Sequence, residues 1–282
     1  MKKQLWIGYL QVLTAALLWS LTGILLKSTS ASAIWGNAIR TLSAGLFLLP
    51  VMLKYKIKIN KQIIITGLIF FVFVVAFTVT TKIGNSAMAV SMQSAAPVYI
   101  IVFDIVTKRK AEASKLITLF LIASGVALSV IDALASANIG SIFFGFVVGF
   151  GFLAYSASLN KIKTHSAMGV IGGVNLVAFC CNAVALPLDF YPVPATLTTV
   201  MLFVLAGIFI TGLSYGLYGS GIRKIGVETA MIVALAEPVL NPLWVFLGTG
   251  EAPSIMSIIG LGCILAGVVV NTLSFKTKAE EE

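Results

Sequence analysis

Long apolar runs separated by short polar connectors occupy almost the whole of this 282-residue chain. A helix needs about 20 mostly apolar residues to cross the ~30 Å hydrocarbon core of a bilayer. Ten runs have about this length: 5–26, 34–53, 63–81, 86–107, 115–132, 140–159, 167–188, 198–219, 228–248 and 255–274. The connectors leave no room for a soluble domain. The pattern therefore predicts an all-α polytopic membrane protein with ten transmembrane helices.

The first apolar run has features of both a signal peptide and a membrane span. It follows Lys2 and Lys3, and the small residues Ala31-Ser32-Ala33 come after it. The apolar region of a signal peptide has roughly 7–15 residues, and this run is longer. We therefore interpret residues 5–26 as a retained first span.

The composition favours a membrane protein and gives no sign of a cofactor. Hydrophobic residues make up 59% of the chain and charged residues 10%, whereas about 25% of the residues in soluble domains are charged. Cys180, Cys181 and Cys263 lie in apolar runs without the spacing of a metal site. The glycine-rich loop that cradles nucleotide phosphates does not occur in the sequence. We expect neither a metal nor a cofactor.

The positions of the basic residues predict the orientation, because basic loops stay on the cytoplasmic side. With a cytoplasmic N-terminus, the outer connectors hold only Lys27 and Lys82, and Arg40 lies inside a span. The inner segments hold Lys2, Lys3, Lys54, Lys56, Lys58, Lys61, Lys108, Arg109, Lys110, Lys115, Lys161, Lys163, Arg223, Lys224, Lys276 and Lys278. This asymmetry predicts an inner (plasma) membrane protein with both termini in the cytoplasm. It also accounts for the net charge of +9, so we expect anionic lipids rather than nucleic acid at these loops.

The two halves of the chain resemble each other segment by segment. LLWSLTGILLK resembles FLAYSASLNKIK, which pairs Trp19 with Tyr155. GNAIRTLSAG resembles GGVNLVAF, which pairs Arg40 with Asn175. The repeat predicts that residues of both halves contribute to one site.

A third pair of segments, KIGNSAMAVSMQSAAPVY and KIGVETAMIVALAEPVL, aligns Pro97 with Pro238. Each predicted half has five spans, an odd number, so the second half must be inverted relative to the first. Inverted repeats are common in secondary transporters, whose sites lie near the midplane between the repeats. We predict repeats at residues 1–135 and 136–282.

These motifs together resemble the EamA branch of the drug/metabolite transporter superfamily. The resemblance is carried by LWS with Trp19, by WGNAIRTLSAG with Arg40, and by AEPVLNPLWVFLGTGE and GLGCILAGVVV near the C-terminus. It implies two inverted five-helix repeats that move small metabolites by alternating access. It also implies that the first four spans of each half line the cavity, while the fifth and tenth support it. One connector departs from the pattern, since VTKRKAEAS lacks the Gly-Glu that GTGEAPS retains.

Three prolines interrupt predicted spans at related places. Pro97, Pro238 and Pro242 remove the helical partners of the carbonyls of Gln93, Ala234 and Pro238. In lipid, a freed carbonyl costs several kcal/mol unless protein or water satisfies it. The prolines therefore predict hinges beside a binding site; the alternative is that these kinks serve only helix packing.

Glu237 and Arg40 are charged residues inside apolar runs. Glu237 lies near the predicted midplane, where a charge costs ~2.5–3.5 kcal/mol on insertion scales. Three roles for Glu237 are open. It could pair with Arg40 or backbone groups as a structural lock, it could contact a substrate ammonium, or it could bind and release a proton that is coupled to transport. Arg40 either snorkels or pairs helices, or clamps a substrate carboxylate or phosphate.

These features define the candidate site. The predicted substrate-binding residues are Trp19, Arg40, Gln93, Tyr99, Tyr155, Asn175, Tyr215, Glu237 and Asn241. The best matching cargo is an amino acid or amine-like metabolite, because the set combines an acid, a base and aromatic rings. The family resemblance favours export, and the transporter is a monomer or homodimer.

Other function classes fit the sequence less well. A channel needs a filter loop or charged ring, and a structural membrane subunit does not need paired breakers at mid-depth. The GLSYG segment places Ser214 in the Gly-x-Ser-x-Gly pattern of a nucleophilic serine, so an intramembrane serine protease is an alternative. It is a remote one, because the only histidine that could act as the base is His165, in the basic loop after the sixth span. We therefore predict a transporter rather than an enzyme.

Overall fold

A computed structural model describes residues 2–27, 29, 32–83, 86–108, 113–134, 139–188, 196–250 and 254–281. Within these residues the regular structure is helical. The α-helices are α1 (Lys2–Ser20), α2 (Thr22–Lys27), α3 (Ala33–Lys54), α4 (Lys61–Ile83), α5 (Ser86–Ser94), α6 (Ala96–Lys108), α7 (Ala113–Leu134), α8 (Ile139–Lys161), α9 (Ala167–Ala185), α10 (Leu197–Ala206), α11 (Ser214–Ile225), α12 (Val227–Ala234), α13 (Ala236–Thr249) and α14 (Ile255–Glu281). A 3₁₀ turn (Leu186–Leu188) follows α9, and a π-helical segment (Gly207–Leu213) joins α10 to α11.

Seven helical stretches of the described chain are long and apolar enough to cross a membrane: Lys3–Leu26, Ala33–Lys54, Lys61–Ile83, Gly140–Lys161, Ala167–Leu188, Leu197–Ile225 and Val227–Gly248. The predicted spans at 115–132 and 255–274 lie in α7 and α14, whose apolar stretches are shorter, Leu116–Leu128 and Ile258–Gly267. The predicted span at 86–107 is divided at Ala95. The protein is thus a polytopic helical membrane protein, while the count of ten spans and the orientation stay predictions.

Three apolar runs are interrupted by a single non-helical residue. Ala95 separates α5 from α6 and Leu235 separates α12 from α13, close to Pro97 and Pro238 as their missing N–H groups require. Leu21 separates α1 from α2 without a proline nearby. The proline breaks agree with the predicted positions, whereas the break at Leu21 was not predicted.

Each of the main helix pairs joins a helix of the first half of the chain to a helix of the second half. Helix α1 packs on α11, α3 on α9, α4 on α8, and α7 on α14. The predicted boundary between the repeats, at residues 135 and 136, lies outside the described residues. In the middle of the bundle, aromatic side chains of α4, α8 and α11 form a common core that includes Phe70, Phe73, Tyr155 and Tyr218.

Candidate functional site

The two proline-associated helix breaks meet in the interior of the bundle. Gln93 lies in the last turn of α5, just before the break at Ala95, and Glu237 lies in the first turn of α13, just after the break at Leu235. The Gln93 Nε2 atom donates a hydrogen bond of 2.6 Å to Glu237 Oε2. Both side chains are buried. This hydrogen bond therefore fastens one break to the other.

Glu237 does not form an ion pair with Arg40. Among the described residues, Gln93 is the side-chain partner of Glu237, and the second carboxylate oxygen, Oε1, has no donor within hydrogen-bond distance. A carboxylate can accept about four hydrogen bonds. The lock between Glu237 and Arg40 that the sequence allowed is therefore absent, and Glu237 retains acceptor capacity for another group.

Arg40 is held by the π-helical segment of the opposite half. Its Nε atom donates to Thr211 Oγ1 over 3.2 Å, and the whole side chain is buried. In the described part of the chain no acceptor lies within hydrogen-bond distance of its two terminal nitrogens. Gly207 makes this approach possible, because a Cβ at that position would lie 2.6 Å from the Arg40 carbonyl oxygen. Arg40 thus presents a fixed guanidinium whose remaining N–H groups are available to an anion.

Aromatic rings form a wall beside the two charges. The Trp19 ring lies 4.6 Å from the Tyr215 ring, 5.0 Å from Tyr218 and 5.9 Å from Phe152, measured between ring centroids. The indole Nε1 of Trp19 is buried without a hydrogen-bond partner. A buried indole usually finds an acceptor, so this N–H is a free donor at the site.

These side chains surround one internal cavity. It is lined by Trp19, Thr22, Arg40, Phe73, Val74, Phe77, Gln93, Tyr215 and Glu237. Its volume is about 20 Å³, which is room for about one water molecule. The cavity is therefore small, and both polar and aromatic side chains line it.

A separate contact joins the break at Leu21 to α13. Asn241 Nδ2 donates to the Ser20 carbonyl oxygen over 3.2 Å, and Trp244 Nε1 donates to Ser20 Oγ over 2.8 Å. Gly23 lies against the Asn241 amide, because a Cβ there would be 2.6 Å from Oδ1. We call Ser20, Asn241 and Trp244 the Ser20 latch. Asn241 thus holds two helices together instead of lining the cavity.

Besides Asn241, three further predicted substrate-binding residues lie away from the cavity lining. Tyr155 is fully buried behind Tyr215, with ring centroids 5.6 Å apart, and its hydroxyl has no partner. The Asn175 amide donates to Ile171 of its own helix over 2.9 Å. Tyr99 stacks on Phe150 with centroids 4.4 Å apart. The repeat pairing therefore does not extend to the cavity: the partners of Trp19 and Arg40 in the second half serve packing.

Sequence reasoning missed several residues of the cavity. Thr22, Phe73, Val74 and Phe77 line it, and Thr211 supports Arg40 from outside it. Threonine and aliphatic or aromatic residues are ordinary in apolar helices, so none of them carries a signal by type. These residues face the cavity because of how each helix is rotated about its axis, and the inverted repeat does not specify that rotation.

The serine of the GLSYG pattern has a structural contact. The Ser214 hydroxyl donates to the Ile210 carbonyl in the preceding turn, a common arrangement for serine within helices. His165 is exposed and lines a different pocket. The described residues thus show no hydrogen bond between these two side chains, and a serine nucleophile would lack its base.

A polar cavity beside interrupted helices, in the interior of a helical bundle, is typical of secondary transporters. The sequence pattern of the EamA-like transporter family matches this chain twice, at residues 6–131 and 138–273. The chain therefore belongs to the EamA-like transporter family.

Similar proteins agree with this family. An uncharacterized transporter of Archaeoglobus fulgidus is 24% identical over 270 residues, which cover 93% of this chain and 95% of that protein. The uncharacterized inner membrane transporter YicL of Salmonella typhimurium is 25% identical, with 96% and 97% covered. A solved crystal structure with 18% identity superposes with a TM-score of 0.75 and covers 94% of this chain and 96% of its own. The last likeness concerns the fold alone.

Proposed function

We propose that this protein is a secondary carrier for a small zwitterionic metabolite, such as an amino acid or a related amine, and that it works by alternating access. The family resemblance favours export from the cytoplasm. The observation that carries the proposal is one cavity lined by a base and an acid that are not paired with each other.

The two charges match the two ends of a zwitterion. Arg40 has terminal N–H groups free to donate to a carboxylate, and Glu237 has a free oxygen to accept from an ammonium. A guanidinium binds a carboxylate through two parallel hydrogen bonds. Buried charges without partners are costly in a membrane interior, so a ligand that neutralises both stabilises the site.

The aromatic wall supports the same class of ligand. The face of a Trp or Tyr ring attracts a cation by about 0.5–2 kcal/mol, and Trp19 and Tyr215 line the cavity together with Glu237. The unpaired Trp19 Nε1 offers one further donor to a ligand oxygen. An ammonium beside Glu237 therefore contacts a carboxylate and aromatic rings at the same time.

Movement of helices has to accompany binding. A cavity of about 20 Å³ is too small for an amino acid, so the structure represents a closed conformation in this proposal. The breaks at Leu21, Ala95 and Leu235 each lie within two residues of a cavity-lining residue, and prolines fix two of them. Short helices on either side of a break can rotate while the remainder of the bundle keeps its packing.

The first experiment is a thermal-stability screen of the purified protein, of Glu237→Gln and of Arg40→Gln. Amino acids are tested beside their matched amines and carboxylic acids, which each lack one charge. A ligand at 100 times its Kd adds about 2.7 kcal/mol of apparent stability. We expect an amino acid to stabilise the unmodified protein and neither variant to the same extent.

The single-charge analogues assign each residue. An amine should lose its effect with Glu237→Gln only, and a carboxylic acid with Arg40→Gln only. Ligands whose effect survives both substitutions would contradict the assignment. Saturable counterflow in vesicles then separates a carrier from a channel or a structural subunit, since neither of those accumulates labelled substrate against its gradient while unlabelled substrate leaves.

A further inference from the structure

A second pocket lies at the end of the bundle where three predicted cytoplasmic connectors meet. Its volume is about 690 Å³. Its wall is formed by the end of α3, by the segment after α8 and by the end of α11. Lys56, Lys163, His165 and Arg223 line it, and none of the described lining residues is acidic. The pocket is therefore built to receive an anion.

Arg223 fixes the shape of one wall. Its Nη1 donates to the Thr164 carbonyl over 2.8 Å, and its Nη2 donates to the Ile162 carbonyl and to Thr164 Oγ1, both over 3.2 Å. These bonds fasten α11 to the segment that carries Lys163 and His165. Arg223 thus holds in place the backbone from which Lys163 and His165 extend.

Lys56 occupies a backbone conformation that disfavours lysine. Its φ angle is +50°, and Lys56 is the only residue other than glycine with a positive φ in the described chain. The Lys56 N–H donates to Leu53 over 3.0 Å and the Ile57 N–H donates to Met52 over 2.9 Å, which closes the end of α3. Glycine is the usual residue at such a helix end. Lysine at this position adds a positive charge to the pocket lining in spite of this conformational cost.

The surroundings of the pocket point to a lipid rather than to a soluble anion. Leu53 and Ile59 flank the lining residues and are 66% and 44% exposed. Tyr55 lines the pocket and is 45% exposed, which suits a ring at the membrane interface. We propose that this pocket binds the phosphate of an anionic phospholipid headgroup while the acyl chains run along the exposed apolar face of α3.

Binding at this place has a structural consequence. The pocket joins α3, from the first half, to α8 and α11, from the second half. A bound headgroup therefore stabilises the arrangement in which these three helix ends are together. Anionic lipid would favour the conformation that is closed on this face, whatever the cargo of the central cavity.

The test compares two double variants that remove the same charge. Lys56→Gly with Lys163→Gln alters the pocket, and glycine at position 56 also suits the positive φ. Lys58→Gln with Lys61→Gln removes two exposed lysines from the same connector without touching the lining. The detergent-purified proteins are titrated with soluble short-chain phosphatidylglycerol, with the matched phosphatidylcholine and with inorganic phosphate. Thermal stability without lipid verifies that each variant folds.

We expect the pocket variant to bind phosphatidylglycerol about tenfold more weakly than the unmodified protein. The control variant should lose less than about twofold, and phosphatidylcholine should bind weakly to all three proteins. Equal losses in both double variants would overturn the proposal in favour of general charge attraction. Displacement of the lipid by inorganic phosphate at comparable concentration would overturn it in favour of a soluble anion.

Discussion

At the scale of single residues, each buried charge of the cavity has one polar partner, and that partner comes from the other half of the chain. Gln93 donates to Glu237, and Arg40 donates to Thr211. A buried charge with no partner destabilises a protein strongly. One bond to each charge limits this cost, while the remaining hydrogen-bonding capacity stays available to a ligand.

A double-mutant cycle on Gln93 and Glu237 tests the partnership. Gln93→Leu removes the donor and leaves the carboxylate buried, so we expect it to lower the free energy of unfolding by about 1–3 kcal/mol. In a Glu237→Gln background the same substitution should cost less, which gives a positive coupling energy. Thermal denaturation of the four purified proteins in one detergent measures the effect.

The exposed Gln62 provides the control for this cycle. Gln62→Leu makes the same chemical change at the exposed start of α4, and a surface substitution usually shifts stability by less than about 0.5 kcal/mol. Additive effects of Gln93→Leu and Glu237→Gln would mean that the 2.6 Å hydrogen bond contributes nothing to stability.

Sequence alone identified part of the cavity at this scale. Arg40, Glu237 and Trp19 were predicted and line it, because a charge or an indole inside an apolar run is conspicuous by type. Thr22 and Thr211 were not predicted, since threonine occurs in any membrane helix. Asn175 was predicted from the repeat, and its amide bonds its own helix instead.

At the scale of elements, the main feature is the set of three helix breaks close to cavity-lining residues. Proline explains the breaks at Ala95 and Leu235 locally. A tertiary contact accompanies the break at Leu21, because the Ser20 carbonyl accepts a hydrogen bond from Asn241 of α13. The Ser20 latch therefore holds the first predicted span to the ninth at the cavity edge.

Opening of the Ser20 latch can be measured by alkylation. Thr22 lines the cavity, so a cysteine at this position in a background without Cys180, Cys181 and Cys263 reports access to it. Asn241→Ala or Trp244→Phe removes one hydrogen bond, worth about 0.5–1.5 kcal/mol. We expect the labelling rate of the cysteine to rise by about two- to tenfold for either variant.

A matched control removes a hydrogen bond that lies outside the latch. Thr14 Oγ1 donates to the Leu10 carbonyl on the exposed face of α1 over 2.8 Å, so Thr14→Ala should leave the labelling rate unchanged. If all three variants accelerate labelling equally, the whole first helix is loosened and the latch has no specific role.

At the scale of the whole molecule, the helix pairs have a symmetric pattern. With the predicted spans numbered one to ten, the pairs α1–α11, α3–α9, α4–α8 and α7–α14 are 1–8, 2–7, 3–6 and 5–10. Exchanging each span with the one five positions away returns the same set of pairs. This pattern is what a twofold relation between two five-span halves requires, while the ten spans and the inversion of the second half stay predictions.

Orientation in the membrane can be tested by labelling intact cells. We expect an impermeant maleimide to label Thr196→Cys, before α10, and not Lys58→Cys or Lys163→Cys, because basic connectors stay cytoplasmic. All three positions are exposed in the structure. Permeabilised cells should label at every position, which controls for reactivity. Labelling of Lys58→Cys in intact cells would reverse the predicted orientation.

The sequence by itself determined the class of protein, the apolar segments, the proline breaks and the two conspicuous charges. These features depend on the composition of short segments, which hydropathy and residue type report directly. The tertiary structure alone decided which residues share the cavity. Gln93 and Glu237 are 144 residues apart, Arg40 and Thr211 are 171 apart, and Ser20 and Asn241 are 221 apart. Contacts over such distances depend on how each helix is rotated and packed, and the apolar pattern of a membrane helix leaves that rotation undetermined because lipid and protein interior are equally apolar.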